Sequence, residues 1–356
     1  MTKGIGSTGV RMVAVVAAAA FVAGTAPGTG TAVASDNPEV EWNYSIWGNP
    51  RAFTKGIEAI KEYVEEQSGG NFRIEIHYGE TISPARENLD GLNINAFESA
   101  HICTSYHPGR NPVGSVLDLP FLPFEDLDVM IETHDAFMTY EPWVEEMERW
   151  SALPWYSGIL PQYEFMGRGD PPETMEDWEG MRVRALGGLG EAMRKLGAVP
   201  TTVPAPEVYT ALERRVVQAA SWPYSYAFGA FRAHEISDWY TEGLQIGAVF
   251  CPSLINIDAW NDLPGEYQAL VMDSKEVAYD AFRTAYTEAD EHWIPIYEEM
   301  MTRVTFTPEE IAEFREVAGE PVWQEWVERH QDRFDSRAVL DFVLETARQA
   351  QDGPSG

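Results

Sequence analysis

The sequence predicts an α/β protein of two lobes. Three observations carry that reading. A strand-helix-strand-helix-strand series runs between Val40 and Thr104, a second such series opens at Met181 to Ala185, and a helical stretch from Pro264 to about Arg303 is too long for one small lobe.

The N-terminus sets the compartment. Lys3 and Arg11 form a positive n-region, Met12 to Gly24 an apolar core, and Ala32-Val33-Ala34 a small-residue cleavage site before Ser35, so residues 1–34 read as a secretory signal peptide. That core is too short to span a bilayer, and no cysteine follows the cleavage site to take a lipid. The mature chain contains no apolar run of membrane length. Of 25 basic residues, Lys3 and Arg11 leave with the signal, so 23 face 57 acidic ones, a formal −34. Such a coat suits a salty medium and repels nucleic acid and anionic lipid. It also repels an anionic ligand at long range, so an anion site here must work by local geometry.

In chain order, Val40 to Trp47 reads as a strand and Arg51 to Gln67 as a helix, with Phe53, Ile57, Ile60 and Val64 at helical spacing and Gly69-Gly70 as its stop. Phe72 to Tyr78 alternates as a second strand, Ser83 caps a helix through about Ile94, and Ser99 to Thr104 is a third strand. Gly114 to Phe124 is a proline-stiffened loop into helices that run to about Arg149. Strands at Trp155 to Leu160 and Glu164 to Gly167 precede the second series.

Pro264 opens the long helical stretch, of which about thirty residues, roughly 45 Å, precede Pro295, where a bend is expected. Thr307-Pro308-Glu309-Glu310 is a capping box, followed by a helix holding Trp323 and Trp326 and a last helix from about Ser336 to Gln349. The domain division expected is 38–161 with 250–291 for lobe I, 162–249 with 292–350 for lobe II, and a loose tail over 351–356.

Cys103 and Cys251 have flanks that read as buried strand ends, and two separate thiols are expected. His101-x-Cys103-x3-His107 has metal-ligand residue types but would need a bend and a further ligand, so no zinc site is expected. There is no Gly-x-Ser-x-Gly elbow and no His-Glu-x-x-His, and Gly187-Gly188-Leu189-Gly190 lacks the Lys-Ser/Thr of a phosphate loop. The chain is read as a non-enzyme.

The chemistry is concentrated at Gly180 to Pro223. Arg182 and Arg184 lie on a short strand feeding a glycine-rich turn and then a helix expected from Glu191 to Leu196, and a guanidinium beside free helix N–H groups is an anion site. Residues two apart share a strand face, so periodicity does not choose between the two arginines.

The Gly180-Met-Arg-Val-Arg184 strand, Lys195-Leu-Gly-Ala-Val-Pro200, Glu207-Val-Tyr-Thr-Ala-Leu212 and the helix after Leu263-Pro264, behind a signal peptide, resemble the solute receptors of tripartite ATP-independent periplasmic (TRAP) transporters. The resemblance covers essentially the whole mature chain. It implies a two-lobed, type II-like periplasmic binding protein, each lobe a mixed sheet with flanking helices, and a long helix spanning both. Its function would be to close on a small organic carboxylate and hand it to the membrane permease subunits, with the receptor itself a periplasmic monomer.

The resemblance places the anchoring arginine at Arg184, the one before the glycine-rich turn. Arginine suits a carboxylate because its planar fork donates two parallel hydrogen bonds. Where a 2-oxo-acid-binding branch has a metal-holding glutamate before a tryptophan, this chain has Ser221-Trp222, so no cofactor or bridging cation is expected and Trp222 offers an indole face and N–H instead. Trp47, Tyr106, Phe165 and Tyr226 are the further candidate wall residues. One guanidinium and several aromatics favour a monocarboxylate such as a 2-oxo, hydroxy or aromatic acid. The alternatives are a dicarboxylate receptor, a sensor-coupled binding protein, or a secreted hydrolase or lyase.

Overall fold

A computed structural model describes residues 38–124 and 126–353. The expected signal peptide lies outside the described residues. Two sheets organise the chain. The first has five strands in the order β2-β1-β3-β10-β4, from Val40–Ser45 (β1), Phe72–His77 (β2), Ser99–His101 (β3), Ala152–Gly158 (β4) and Cys251–Asn256 (β10). The second has six in the order β11-β9-β5-β8-β6-β7, from Tyr163–Gly167 (β5), Arg182–Arg184 (β6), Val199–Thr201 (β7), Ala219–Pro223 (β8), Trp239–Thr241 (β9) and Thr302–Val304 (β11).

Both sheets are mixed. β1 pairs parallel with β2 and β3, while β10 runs antiparallel to β3 and β4; β6 is parallel to β7 and β8, while β5 is antiparallel to β8 and β9. The chain passes from the first sheet to the second between Gly158 and Tyr163 and returns between Thr241 and Cys251. It crosses a third time between Asn256 and Thr302 to add β11 to the second sheet.

Helices cover the sheets: Lys55–Gln67 (α1), Asn88–Asn93 (α2), Leu127–Met138 (α3), Glu141–Glu148 (α4), Gly187–Lys195 (α5), Val208–Glu213 (α6), Tyr226–Ala230 (α7), Ile257–Asn261 (α8), Gly265–Asp273 (α9), Lys275–Met300 (α10), Pro308–Ala318 (α11), Glu320–His330 (α12) and Ser336–Asp352 (α13). α1 buries Ile57, Ile60 and Val64, the stripe the sequence spacing marks. α10 has 26 residues and so extends about 39 Å. It packs on α1 beside the first sheet and on α7 and β11 beside the second, which makes it a brace across both.

The long stretch after Pro264 is two helices. The Val271 carbonyl accepts the Trp155 indole N–H at 2.9 Å and the Ser274 hydroxyl at 2.6 Å, and the helix is interrupted where that carbonyl is diverted. Ser83 caps nothing; α2 begins only at Asn88, because the preceding segment is held as turns, with Glu80 accepting the Ala85 N–H at 2.7 Å. The capping box forms as expected, Thr307 accepting from Glu310 N–H and Glu310 from Thr307 N–H.

The C-terminus also departs from expectation. α13 lies on α3, with Phe342 stacked on Tyr140 at 4.1 Å, so the last helix sides with the first lobe although the sequence division gives it to the second. Its apolar stripe of Val339, Leu340, Val343 and Ala347 requires that cover. Gln351 continues the helix and donates to the Pro123 carbonyl at 2.9 Å, which ties down the start of the supposed loose tail.

Cys103 and Cys251 form a disulfide, against the expectation of free thiols. The antiparallel register that sets Ser253 opposite His101 brings residue 251 opposite 103, with Cα atoms 4.0 Å apart. The partners are 148 residues apart in sequence, so only the β3/β10 pairing reveals the bond.

Candidate functional site

A narrow cavity of about 20 Å3 lies where the two lobes meet. From the first lobe come Trp47, Arg51, Phe53, Tyr106 and the disulfide; from the second come Tyr163, Arg184, Ala205, Trp222, Tyr226 and Phe231. Five of the six residues singled out in the sequence meet here: Arg184, Trp222, Tyr106, Trp47 and Tyr226.

Arg184 is only 1% exposed. It sits at the C-terminal end of β6, the end facing the cavity, whereas Arg182 at the other end is exposed and donates to the carbonyls of Arg215 and Val216. The structure thus separates two residues that strand periodicity left equivalent. The Arg184 Nε donates to Val203 O at 2.9 Å and one terminal nitrogen to Ser221 O at 2.5 Å. Its guanidinium carbon is 5.7 Å over the Trp222 ring. Burial lowers its pKa, and the neighbouring Tyr106 and Tyr163 phenols oppose that.

Tyr106 bridges the lobes, its phenol oxygen accepting the Ala205 main-chain N–H at 2.9 Å. Trp47 packs edge-on against Tyr106 at 5.7 Å. Trp222 is 2% exposed and stacks on Phe231 at 5.1 Å, and among the described residues its indole N–H has no partner. An indole N–H buried at a cavity wall without an acceptor is a donor free for a guest. Tyr226 stacks on Tyr286 at 5.4 Å and lies beside Arg51.

Phe165 is not in the wall. Its ring packs on Trp178 at 4.8 Å in the core of the second lobe. Tyr163 occupies the cavity instead, because the site is at the start of β5 and Phe165, on the same face, lies two residues or about 6–7 Å deeper along the strand. Glu164, on the opposite face, accepts from Thr241 Oγ1 and Gln245 N–H and takes no part in the cavity. Arg168 is also remote, its guanidinium bonded to the Leu212 and Glu213 carbonyls.

The helix start that was expected to help neutralise an anion faces elsewhere. α5 begins at Gly187, so the glycine-rich run is its first turn, and that turn abuts Asp118 and Leu119. A Cβ on Gly188 would come within 2.5 Å of Asp118 O and 2.8 Å of Leu119 Cα. A larger cavity of about 350 Å3 beyond that contact has mixed polar walls, where Arg194 is already paired with Glu191 at 3.0 Å.

Sequence reasoning missed Arg51. It is 9% exposed, one terminal nitrogen donates to Trp47 O at 2.8 Å and Asn49 O at 3.0 Å, and its Nε has no partner among the described residues. The signal is a basic residue in the turn after β1, which the helical spacing assigns to the first position of a helix. Among the described residues neither guanidinium is ion-paired to a carboxylate, and no group of three or more His, Cys, Asp or Glu could hold a metal ion.

Residues 45–330 match a family described as "Bacterial extracellular solute-binding protein, family 7". The chain belongs to that family. This solute-binding protein is 24% identical over 266 residues to the monocarboxylate 2-oxoacid-binding periplasmic protein of Nostoc sp., covering 71% of this chain and 67% of the relative. It is 24% identical over 282 residues to the C4-dicarboxylate-binding periplasmic protein of Rhodobacter capsulatus, covering 77% and 82%. A TRAP solute-binding protein from Rhodoferax ferrireducens, solved with copurified benzoate, superposes with a TM-score of 0.79 at 17% identity, over 88% of this chain and 99% of the other. That likeness carries the two-lobed fold.

Proposed function

We propose that this chain is the extracytoplasmic receptor of a TRAP transporter, exported across the inner membrane, which closes as a monomer on a small organic carboxylate and presents it to membrane permease subunits. The observation that carries the reading is Arg184: a fully buried guanidinium with no acidic partner, held from behind by two carbonyls under an indole. Burying an unpaired charge is costly unless a counter-ion arrives, so the site favours an anion. The aromatic walls favour an apolar or aromatic middle in that anion.

The wall residues proposed to touch it are Arg184, Trp222, Tyr106, Trp47, Tyr163 and Tyr226. The reading needs no cofactor and no bridging cation, since the position before Trp222 is Ser221, whose hydroxyl is a poor metal ligand. It also assigns no turnover, so the acid leaves unchanged.

A thermal-shift screen of the mature chain against keto, hydroxy, aromatic and dicarboxylic acids tests this, with calorimetry on the hits and mass spectrometry of the recovered ligand. Stabilisation by acids and recovery of the intact acid are expected. Stabilisation by neutral solutes alone, or a chemically altered ligand, would overturn the proposal.

A further inference from the structure

We infer that Arg51 is a second anion anchor, supplied by the first lobe, and that the ligand carries a second anionic group for it. This rests on the carboxylate reading of the cavity and makes it more specific.

The two arginines are held alike. Each donates to two main-chain carbonyls, Val203 and Ser221 for Arg184, Trp47 and Asn49 for Arg51. Each also lies over an aromatic ring, Arg184 at 5.7 Å from Trp222 and Arg51 at 5.3 Å from Phe231. Carbonyl dipoles and ring faces soften a buried cation without neutralising it. A purely structural Arg51, pinning the turn after β1, accounts for the nitrogen that bonds Trp47 and Asn49. It does not account for Nε, which is buried and unmatched, or for placing the group in the cavity wall beside the Tyr226 hydroxyl. The backbone also makes room for it: a Cβ on Gly48 would come within 2.9 Å of an Arg51 terminal nitrogen.

Charge then decides the guest. One carboxylate balances one guanidinium and leaves the other uncompensated in the wall of the same cavity. A small dianion balances both, with its apolar middle against the rings. Because the cations come from opposite lobes, such a ligand would also bridge the lobes as they shut.

The test is calorimetry of the mature chain with matched acids and monoamides: succinate and succinamate, glutarate and glutaramate, terephthalate and terephthalamate. The diacid of at least one pair is expected to bind about tenfold or more tighter than its monoamide. Arg51→Met should bring that ratio to about one, Arg51→Lys should retain part of the preference, and Arg184→Met should remove binding of both members. Circular dichroism checks that each variant is folded. An unchanged ratio in Arg51→Met, or monoamides binding the parent chain as tightly as their diacids, overturns this inference alone. If no acid of any pair or of the wider screen binds, the carboxylate reading falls and this inference with it. Should Arg51→Met not fold, Arg51→Gln decides, since it keeps a donor for the Trp47 and Asn49 carbonyls and removes the charge: an unchanged diacid preference there overturns the inference, and a lost one supports it.

Discussion

The rings of Trp222 and Phe231 lie 5.1 Å apart with their planes inclined by 18°, and each has a guanidinium nearby, Arg184 over Trp222 and Arg51 over Phe231. One wall of the cavity is therefore a cation-ring-ring-cation series built from both lobes. An anion entering it meets charge, apolar surface and an unmatched indole N–H together.

Replacing Trp222 by Ala should weaken acid binding by about 1–3 kcal/mol, from the lost N–H donor and ring face. It should also abolish a ligand-induced change in tryptophan fluorescence. Titration of the variant checks both, and parental affinity with a parental fluorescence change would return Trp222 to plain core packing.

Arg184→Ala should cost about 2–5 kcal/mol of binding, enough to make acid titrations flat, because the carboxylate loses its desolvated partner. The fold should survive: the lost bonds to Val203 O and Ser221 O are partly offset by no longer burying an unpaired charge. Calorimetry and circular dichroism read the two effects separately.

The disulfide closes a sequence separation of 148 residues, and both of its cysteines border the cavity. Reduction, or the pair Cys103→Ser and Cys251→Ser, should lower stability by about 2–5 kcal/mol. Ligand affinity should fall with it. Thermal melts with and without reductant, with thiols counted afterwards, settle the matter; an unmoved midpoint in the reduced protein would contradict it.

Glu164 supplies a pH test away from the site. Burial pushes its carboxyl up to about 7, only partly opposed by bonds from Thr241 and the Gln245 main chain. The unfolded chain releases that proton at about 4.3. Between those values the folded state holds the extra proton, so this group's contribution to stability declines as pH rises from about 4 to 7 and is then constant. Glu164→Gln removes the decline, so its melting temperature should improve relative to the parent chain on going from pH 5 to pH 8. Parallel profiles for the two proteins would show that Glu164 does not titrate in that window.

Local chemistry was legible from local residues. The Ile57, Ile60, Val64 stripe of α1, the alternation of β2 and the Thr307 box each lie within one element, and each formed. What failed needed a partner far along the chain. The Cys103–Cys251 bond depends on β3/β10 register, and the side on which α13 lies depends on Phe342 meeting Tyr140. In the site, Arg184 and Trp222 sit in the segment with the most distinctive spacing. Arg51 and Tyr163 become wall residues only through the meeting of two lobes, which no sequence period encodes. Phe165 was misplaced by depth along its strand rather than by face.

Gly188 meets the main chain of Asp118 and Leu119 where any other residue would carry a Cβ. In a receptor that closes as proposed, this backbone contact would set one separation for the lobes, and short and long acids would have to fit the same gape.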